Sequence, residues 1–487
     1  MTQDSERPEH GLLIDGAWVP AADGRTTRAS SPSTGETIAL VAMAGPGDID
    51  AAVAAARRAA PGWAAMGAFE RGRVLERMVA AVADRRDDLV QALSADQGKP
   101  LAESADEVAE LEIYLRMAAA DGVRLEGRVP PSVDPGRRVL VQRVPLGVAG
   151  IIVPWNWPYT MAAELFAPAL AAGNTVVWLA APTTAACSAV LASVLADGDT
   201  GLPPGALNFL NGDGPVAGDA LAGHPGVDAI AFIGSVATGR SVAARAAGKA
   251  QILELGGNGP LVVLDDADLA AAVDAVLEAA YLCAGQSCTA GERILVSRLV
   301  RREFVEQLEA AVVERVRLGD PFVEGTTMGP LNNDGVAAKM DEHVAEAVGA
   351  GARLVTGGHR AAGFPTDLFW QPTVLDAVSP SMLIAREETF GPVAPVVEVA
   401  DDAEALALID SSPYGLLTSV FTSDLARGLR FAEAARCGWV NINASTNYWE
   451  SHLPFGGRAG SVSGRGRVGG ATVLEQLTEL KTIIYPA

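Results

Sequence analysis

The sequence predicts an α/β protein built from two parallel-sheet units that share a cleft, and three observations carry that prediction. The chain has 487 residues, more than one hydrophobic core usually organises, so two or more structural units are expected. From about Arg137 short apolar strands alternate with helical segments, the pattern of a parallel sheet flanked by helices. A second run of the same kind starts near Asn258.

Taken in order, the N-terminal part reads as an edge region followed by helices over 48–60 and 71–95, alanine- and arginine-rich with apolar residues at helical spacing. Gly98, Lys99 and Pro100 stop the second helix. The strands RRVLVQRVP and GVAGIIV follow, then a helix over 159–172, the strand NTVVWL, a helix ending near Asp197, LNFLNG, a helix after Gly214, and DAIAFIGS with its helix. Several βα units in series suit a dinucleotide. The second run comprises PLVVLDD, a helix from Asp268, ERILV and a helix to about Arg317. Two segments, 122–144 and the C-terminal TELKTIIY, read as strands outside this alternation, free to pair with each other or with another subunit.

Composition narrows the function classes. With 49% hydrophobic and 20% charged residues, the chain has ample material for cores, which excludes extensive disorder. Its 37 basic and 59 acidic residues leave a net charge of −22, a surface that repels phosphate backbones and anionic lipid headgroups, so neither nucleic acid nor membrane is an expected partner. The polar start MTQDSERPEHG has no apolar signal core, and no run of 18 apolar residues occurs elsewhere. A cytoplasmic protein is expected. The four cysteines, Cys187, Cys283, Cys288 and Cys437, are too few and too irregularly spaced for a disulfide framework or a zinc site, so no metal is expected and a reduced thiol with a chemical role is sought.

Three segments answer that search. In GQSCTAGER (285–293) small and polar residues surround Cys288, whereas a structural cysteine sits among large apolar side chains. In ELGGNGP, Glu254 ends an apolar strand and two glycines let backbone approach, so its carboxylate can serve as a general base. In PWNWP (154–158) two prolines fix a loop that holds Asn156 out, suited to a developing oxyanion. Taken singly, each has a plainer reading: a buried thiol, a solvated acid, a rigid turn.

Together these segments resemble the aldehyde dehydrogenase superfamily, in its NAD(P)-dependent hydrolytic form. FIGSVATG (232–239), EETFGPV (387–393) and PFGG (454–457) match in the family's order and near its spacing, and the resemblance runs from about Gly16 to Tyr485. It implies an aldehyde dehydrogenase-like fold: a Rossmann-type cofactor domain (1–121 and 145–257), an α/β catalytic domain (258–470) and a small β oligomerisation element (122–144 and 471–487). It further implies oxidation of an aldehyde to a carboxylic acid, with Cys288 as nucleophile, Asn156 as oxyanion donor and Glu254 as base. Trp155, Gly234, Ser235, Gly239, Glu388 and Phe390 would hold the cofactor. Trp157, Met161, Glu164, Leu282, Tyr448, Trp449 and Phe455 would line the substrate tunnel. A homodimer or homotetramer is implied as well.

The sequence also departs from the family. The usual adenosine-ribose lysine and glutamate are replaced by Leu179 and Pro182, which leaves NAD against NADP open with NAD preferred; Thr183 or Thr184 can either bond the ribose or cap the next helix. A lysine linked to proton relay is replaced by Leu165, and the tail RAGSVSGRGRVGG carries extra small residues. No arginine falls in the tunnel, so a dicarboxylic semialdehyde is disfavoured, while aromatic walls suit aromatic or long apolar aldehydes, or an ammonium aldehyde through cation–π contact. Two other readings compete: transfer of the thioester to coenzyme A, which the presence of Glu254 disfavours, and a thioesterase or binding protein without cofactor, which Glu388 and Phe390 disfavour.

Overall fold

Strands Val148–Ile152, Thr175–Ala180 and Leu207–Asn211 are buried almost throughout, as apolar runs are when helices cover both faces of a parallel sheet. The computed structural model describes residues 8–197 and 199–487, and in it these strands belong to an eight-stranded sheet. The parallel centre of that sheet runs Ala250–Leu255, Ala229–Gly234, Val148–Ile152, Thr175–Ala180, Leu207–Asn211. The first of these strands in sequence therefore lies in the middle, and later strands add first on one side and then on the other. Between Val148–Ile152 and Ala229–Gly234 the order reverses, and the crevice beyond their carboxyl ends is where such sheets take ligands.

Leu12–Ile14 and Ala17–Val19 extend one edge antiparallel. At the other edge Gly464–Arg465 pairs with Leu253 and Glu254. That short strand comes from within the stretch 258–470 that the sequence reading gives to the second unit, so the chain crosses back. The second sheet has seven strands, in the order Arg353–Thr356, Thr373–Asp376, Val393–Val399, Arg293–Ser297, Pro260–Val263, Leu417–Phe421, Trp439–Ile442.

Two helical expectations are corrected. The predicted helix over 71–95 is two, Ala68–Asp84 and Arg86–Gln97, because Arg85 between them leaves the helical region at φ −113° and ψ 21°. A further helix, Leu101–Gly122, packs against Pro158–Ala172. The two unassigned strands pair with each other, Thr478–Pro486 running antiparallel to Arg137–Pro145. The predicted strand over 122–144 begins only at Arg137; upstream, Pro130, Pro131 and Pro135 remove backbone donors, and only the bridge Arg128↔Val141 joins it to the ribbon. Among the described residues no helix is long and apolar enough to cross a membrane.

Candidate active site

Glu254 reaches the cleft because the strand Ala250–Leu255 ends there, paired through Ile233 on one side and Gly464 on the other. The glycines that follow permit close approach: a Cβ on Gly256 would lie 2.7 Å from the Glu388 carboxylate, and one on Gly257 2.0 Å from the Cys288 carbonyl oxygen. Opposite, Pro158 opens the helix Pro158–Ala172 at its first turn, where its missing N–H costs nothing. Asn156, just before it, is buried, and its Nδ2 donates to the Gln286 carbonyl at 2.9 Å, which leaves the amide a second N–H to offer. Lys99 holds this loop from behind. Its Nζ donates to the Asn156 carbonyl at 2.9 Å and to Glu107 at 2.6 Å, while the other Glu107 oxygen accepts from the backbone N–H of Tyr159 at 2.8 Å.

After the helix Leu269–Tyr281 the chain passes through three left-handed residues, Cys283 (φ 52°), Ala284 (φ 53°) and Gly285 (φ 71°). Only the glycine adopts that region cheaply, and a Cβ on it would also meet the Gly391 carbonyl oxygen at 2.2 Å. The turn carries Cys288 into the cleft, where the Ser287 hydroxyl accepts from the Thr289 N–H at 3.2 Å and Thr289 Oγ1 donates to Asn447 at 2.5 Å. Of the other cysteines, Cys187 and Cys283 are buried, and the Cys437 thiol bonds the Trp439 carbonyl.

Cys288, Glu254, Met161 and Ile233 stand where two cavities meet. One, of about 280 Å³, lies in the crevice at the reversal of strand order and is also lined by Asn156. The other, of about 80 Å³, lies on the far side of the thiol. Burial raises the Glu254 carboxyl well above the carboxylate range, and the charges of Glu164 and Glu388 push it further. The Cys288 thiol is likewise raised, by burial first, then by the charges of Glu254 and Glu388.

Five of the six expected cofactor residues, Trp155, Gly234, Ser235, Glu388 and Phe390, line the larger cavity, and Trp155 meets Phe390 edge-on at 5.6 Å between ring centroids. Ser235 caps the helix Val236–Arg245 by accepting from the Thr238 N–H. Gly239 does not line this cavity; a Cβ there would lie 2.2 Å from Leu255 Cδ2, so it lets the helix seat against the strand end. Glu388 accepts from the Gly257 N–H at 2.9 Å and is raised to about 7 by burial. Two residues escaped sequence reasoning. Glu292, the acid within GQSCTAGER, accepts from the N–H groups of Thr389 at 2.9 Å and Phe390 at 2.6 Å, and so brackets the Glu388 loop; Phe390 is held at φ 62°. Lys339 is the basic group on the wall of the larger cavity. Its surroundings carry no motif.

This cavity fits the nicotinamide end of a dinucleotide: it opens at the switch point, carries a helix N-terminus at Ser235, and holds a buried carboxyl able to accept from ribose hydroxyls. Farther along the sheet, Leu179 is buried in the core and Pro182 opens a turn over Pro182–Thr184. Thr184 directly precedes the helix Ala185–Asp197, and its buried hydroxyl has no partner, so its side chain does not cap that helix. Leu165 is fully buried in the core, away from both cavities.

Of the residues expected to line a substrate tunnel, Trp157, Met161, Glu164, Leu282, Trp449 and Phe455 border the smaller cavity. Tyr448 does not: it is 51% exposed, and its hydroxyl donates to Glu450, which turns it to the surface. Glu110 and Thr160 border the cavity in addition. Glu110 arrives on the helix Leu101–Gly122, an element that sequence reading passed over.

Comparison with known proteins adds a separate line of argument. The model of the aldehyde dehydrogenase family matches residues 18–483. The chain is 38% identical over 483 residues to a glutarate-semialdehyde dehydrogenase of Pseudomonas aeruginosa, covering 98% of each chain. It is 36% identical over 482 residues to an NADP(+) succinate-semialdehyde dehydrogenase of Escherichia coli, again covering 98% of each. Among solved structures, an NAD-dependent aldehyde dehydrogenase from Sinorhizobium meliloti superposes with a TM-score of 0.94 at 34% identity, covering 99% of this chain and 97% of that one.

Proposed function

Because the chain belongs to the aldehyde dehydrogenase family and so oxidises an aldehyde to a carboxylic acid with NAD(P)+, we propose that Cys288, Glu254 and Asn156 carry that reaction. The observation that supports this most is that the three, remote in sequence, line one cavity at the reversal of strand order. Glu254, which borders the same cavity, takes the thiol proton, and the sulfur adds to the aldehyde carbon. The oxygen that becomes negative is held by the free N–H of Asn156 and the backbone N–H of Cys288. When bound, NAD(P)+ accepts the hydride that leaves this carbon. The remaining acyl group is a thioester on Cys288. Glu254 gives the thiol proton to solvent and then removes a proton from water; the hydroxide adds to the acyl carbon, the carbon–sulfur bond breaks to leave the Cys288 thiolate, which regains a proton, and the acid leaves.

Glu388, with the loop that Glu292 holds, would bind the nicotinamide ribose; Trp155, Phe390, Gly234 and Ser235 would flank that end. NAD is the proposed acceptor, since with Leu179 in place of the family's lysine no cation at that position meets a 2′-phosphate. The domain division is proposed as 1–121 with 145–257, and 258–470, apart from the strand Gly464–Arg465 that returns to the first sheet. The ribbon of Arg137–Pro145 and Thr478–Pro486 is proposed to join subunits in a homodimer or homotetramer, and a reducing cytosol to keep Cys288 as a thiol.

The test is single-turnover kinetics. Cys288→Ala is expected to release neither NADH nor acid, and Glu254→Gln to give at most one equivalent of NADH and then stall as thioester. Steady acid release by either variant overturns the assignment.

A further inference from the structure

The cavity beyond Cys288 is bordered by three carboxyls, Glu254, Glu164 and Glu110, and among the described residues no lysine, arginine or histidine borders it. The partners of the two outer acids are neutral: Glu164 accepts from the Tyr114 hydroxyl at 3.1 Å, and Glu110 from the Thr160 hydroxyl at 3.2 Å. Glu254, only 4% exposed, has an oxygen, Oε1, with no hydrogen-bond partner. The adjacent cation, Lys99, does not serve this cavity. It stands 3.6 Å over the Trp157 ring, and its charge is matched by Glu107. Trp449 and Phe455, packed edge to face at 6.0 Å, supply free aromatic wall.

Carboxyls buried among apolar walls without a counter-charge hold their protons: burial lifts Glu164 to about 8 and Glu110 to about 7. An aldehyde that bears a carboxylate would bring a negative charge into a cavity whose lining offers no cation to meet it. A plain alkyl aldehyde would cover the acids and satisfy none of them. A cation would draw out their protons, pair with the carboxylates and lie against aromatic faces.

We propose that this cavity selects aldehydes carrying a positively charged nitrogen, with Glu164 and Glu110 as its counter-charges and Trp449 and Phe455 as the walls beside it. The inference rests on the reading that aldehydes are oxidised at Cys288.

Isosteric pairs separate charge from shape. 3-Aminopropanal and butanal differ only by ammonium for methyl; 4-trimethylammoniobutanal and 5,5-dimethylhexanal differ only by nitrogen for carbon. The expected result is a kcat/KM at least about tenfold higher for the cation in one pair or both, the gain that one well-placed cation contact supplies. The pair that responds tells a primary from a quaternary ammonium. In Glu110→Gln/Glu164→Gln the cation-to-neutral ratio should fall by about tenfold. Should that variant not fold, n-butyltrimethylammonium and n-butylammonium, tested as competitive inhibitors of butanal oxidation by the wild-type enzyme, replace it; inhibition by neither overturns the proposal. So does a neutral member equal to its cation in both pairs, or a preference for 4-oxobutanoate. If no aldehyde of any charge is oxidised with NAD or NADP, the chemistry assigned to Cys288 fails, and this inference falls with it.

Discussion

A carboxylate that shares a buried cavity with a thiol makes the thiol's proton harder to remove. Glu254 and Cys288 are both raised, first by burial; the charges of Glu164 and Glu388 push Glu254 further, and those of Glu254 and Glu388 push Cys288. In the proposed reaction the reactive forms are the deprotonated ones, thiolate for attack and carboxylate for water activation, so turnover should still be rising with pH above neutrality. A pH–rate profile already flat at neutral pH would contradict that sign. At this scale the sequence was informative where a side chain is chemically out of place. Cys288 stands among small and polar neighbours and Glu254 before two glycines, and both are legible for that reason. Glu292, Lys339 and Glu110 are ordinary charged residues in their local sequence, and only folding gives them an address.

At the scale of elements, the loop that carries Asn156 depends on the helix Leu101–Gly122. Glu107 on that helix pairs with the fully buried Lys99, and the pair holds the Asn156 carbonyl and the Tyr159 N–H together. Removing one partner of a buried pair leaves an uncompensated charge, so Lys99→Met should lose about 3–5 kcal/mol of unfolding free energy in denaturant titrations. Adding Glu107→Gln should restore part of it. A single variant as stable as the parent would show that the pair does not hold the loop. The helix was in principle legible, since Val108, Leu111, Leu115 and Ala118 follow a helical period. Its partnership with a loop some fifty residues away, Lys99 to Asn156, was not, because hydrogen bonds across such distances leave no local pattern. The break at Arg85 was hidden for the opposite reason: the apolar period continues through it.

Across the whole molecule, the ribbon of Arg137–Pro145 and Thr478–Pro486 has no third strand among the described residues and exposes Leu480, Ile484 and Tyr485. Two strands alone are marginal, and exposed apolar strand edges seek a partner. Replacing Leu480 and Ile484 with aspartate should dissociate the proposed oligomer, read as a fall in mass by sedimentation; an unchanged mass would place the interface elsewhere. The buried acids give a second global expectation. Glu103 and Glu110 are raised to about 7, and Glu164 and Glu292 to about 8, all chiefly by burial. A carboxyl raised on folding stabilises the fold fully below its unfolded value, and that contribution is lost as pH rises through the folded value. The net charge of −22 adds repulsion in the same direction. The melting temperature should therefore fall between about pH 5 and about pH 8, and a rise in that window would refute the assignment.

The sequence by itself determined the class of fold, the two parallel runs, the pairing of the outlying strands as one of two options, and the motif residues, because apolar periodicity and turn glycines act locally along a chain. Tertiary structure alone decided which acids share a cavity, that Tyr448 faces outward and Gly239 serves packing, and that Gly464–Arg465 returns to the first sheet. Those outcomes depend on which surfaces meet after the helices and sheets assemble, and burial and electrostatic coupling between residues hundreds of positions apart exist only then.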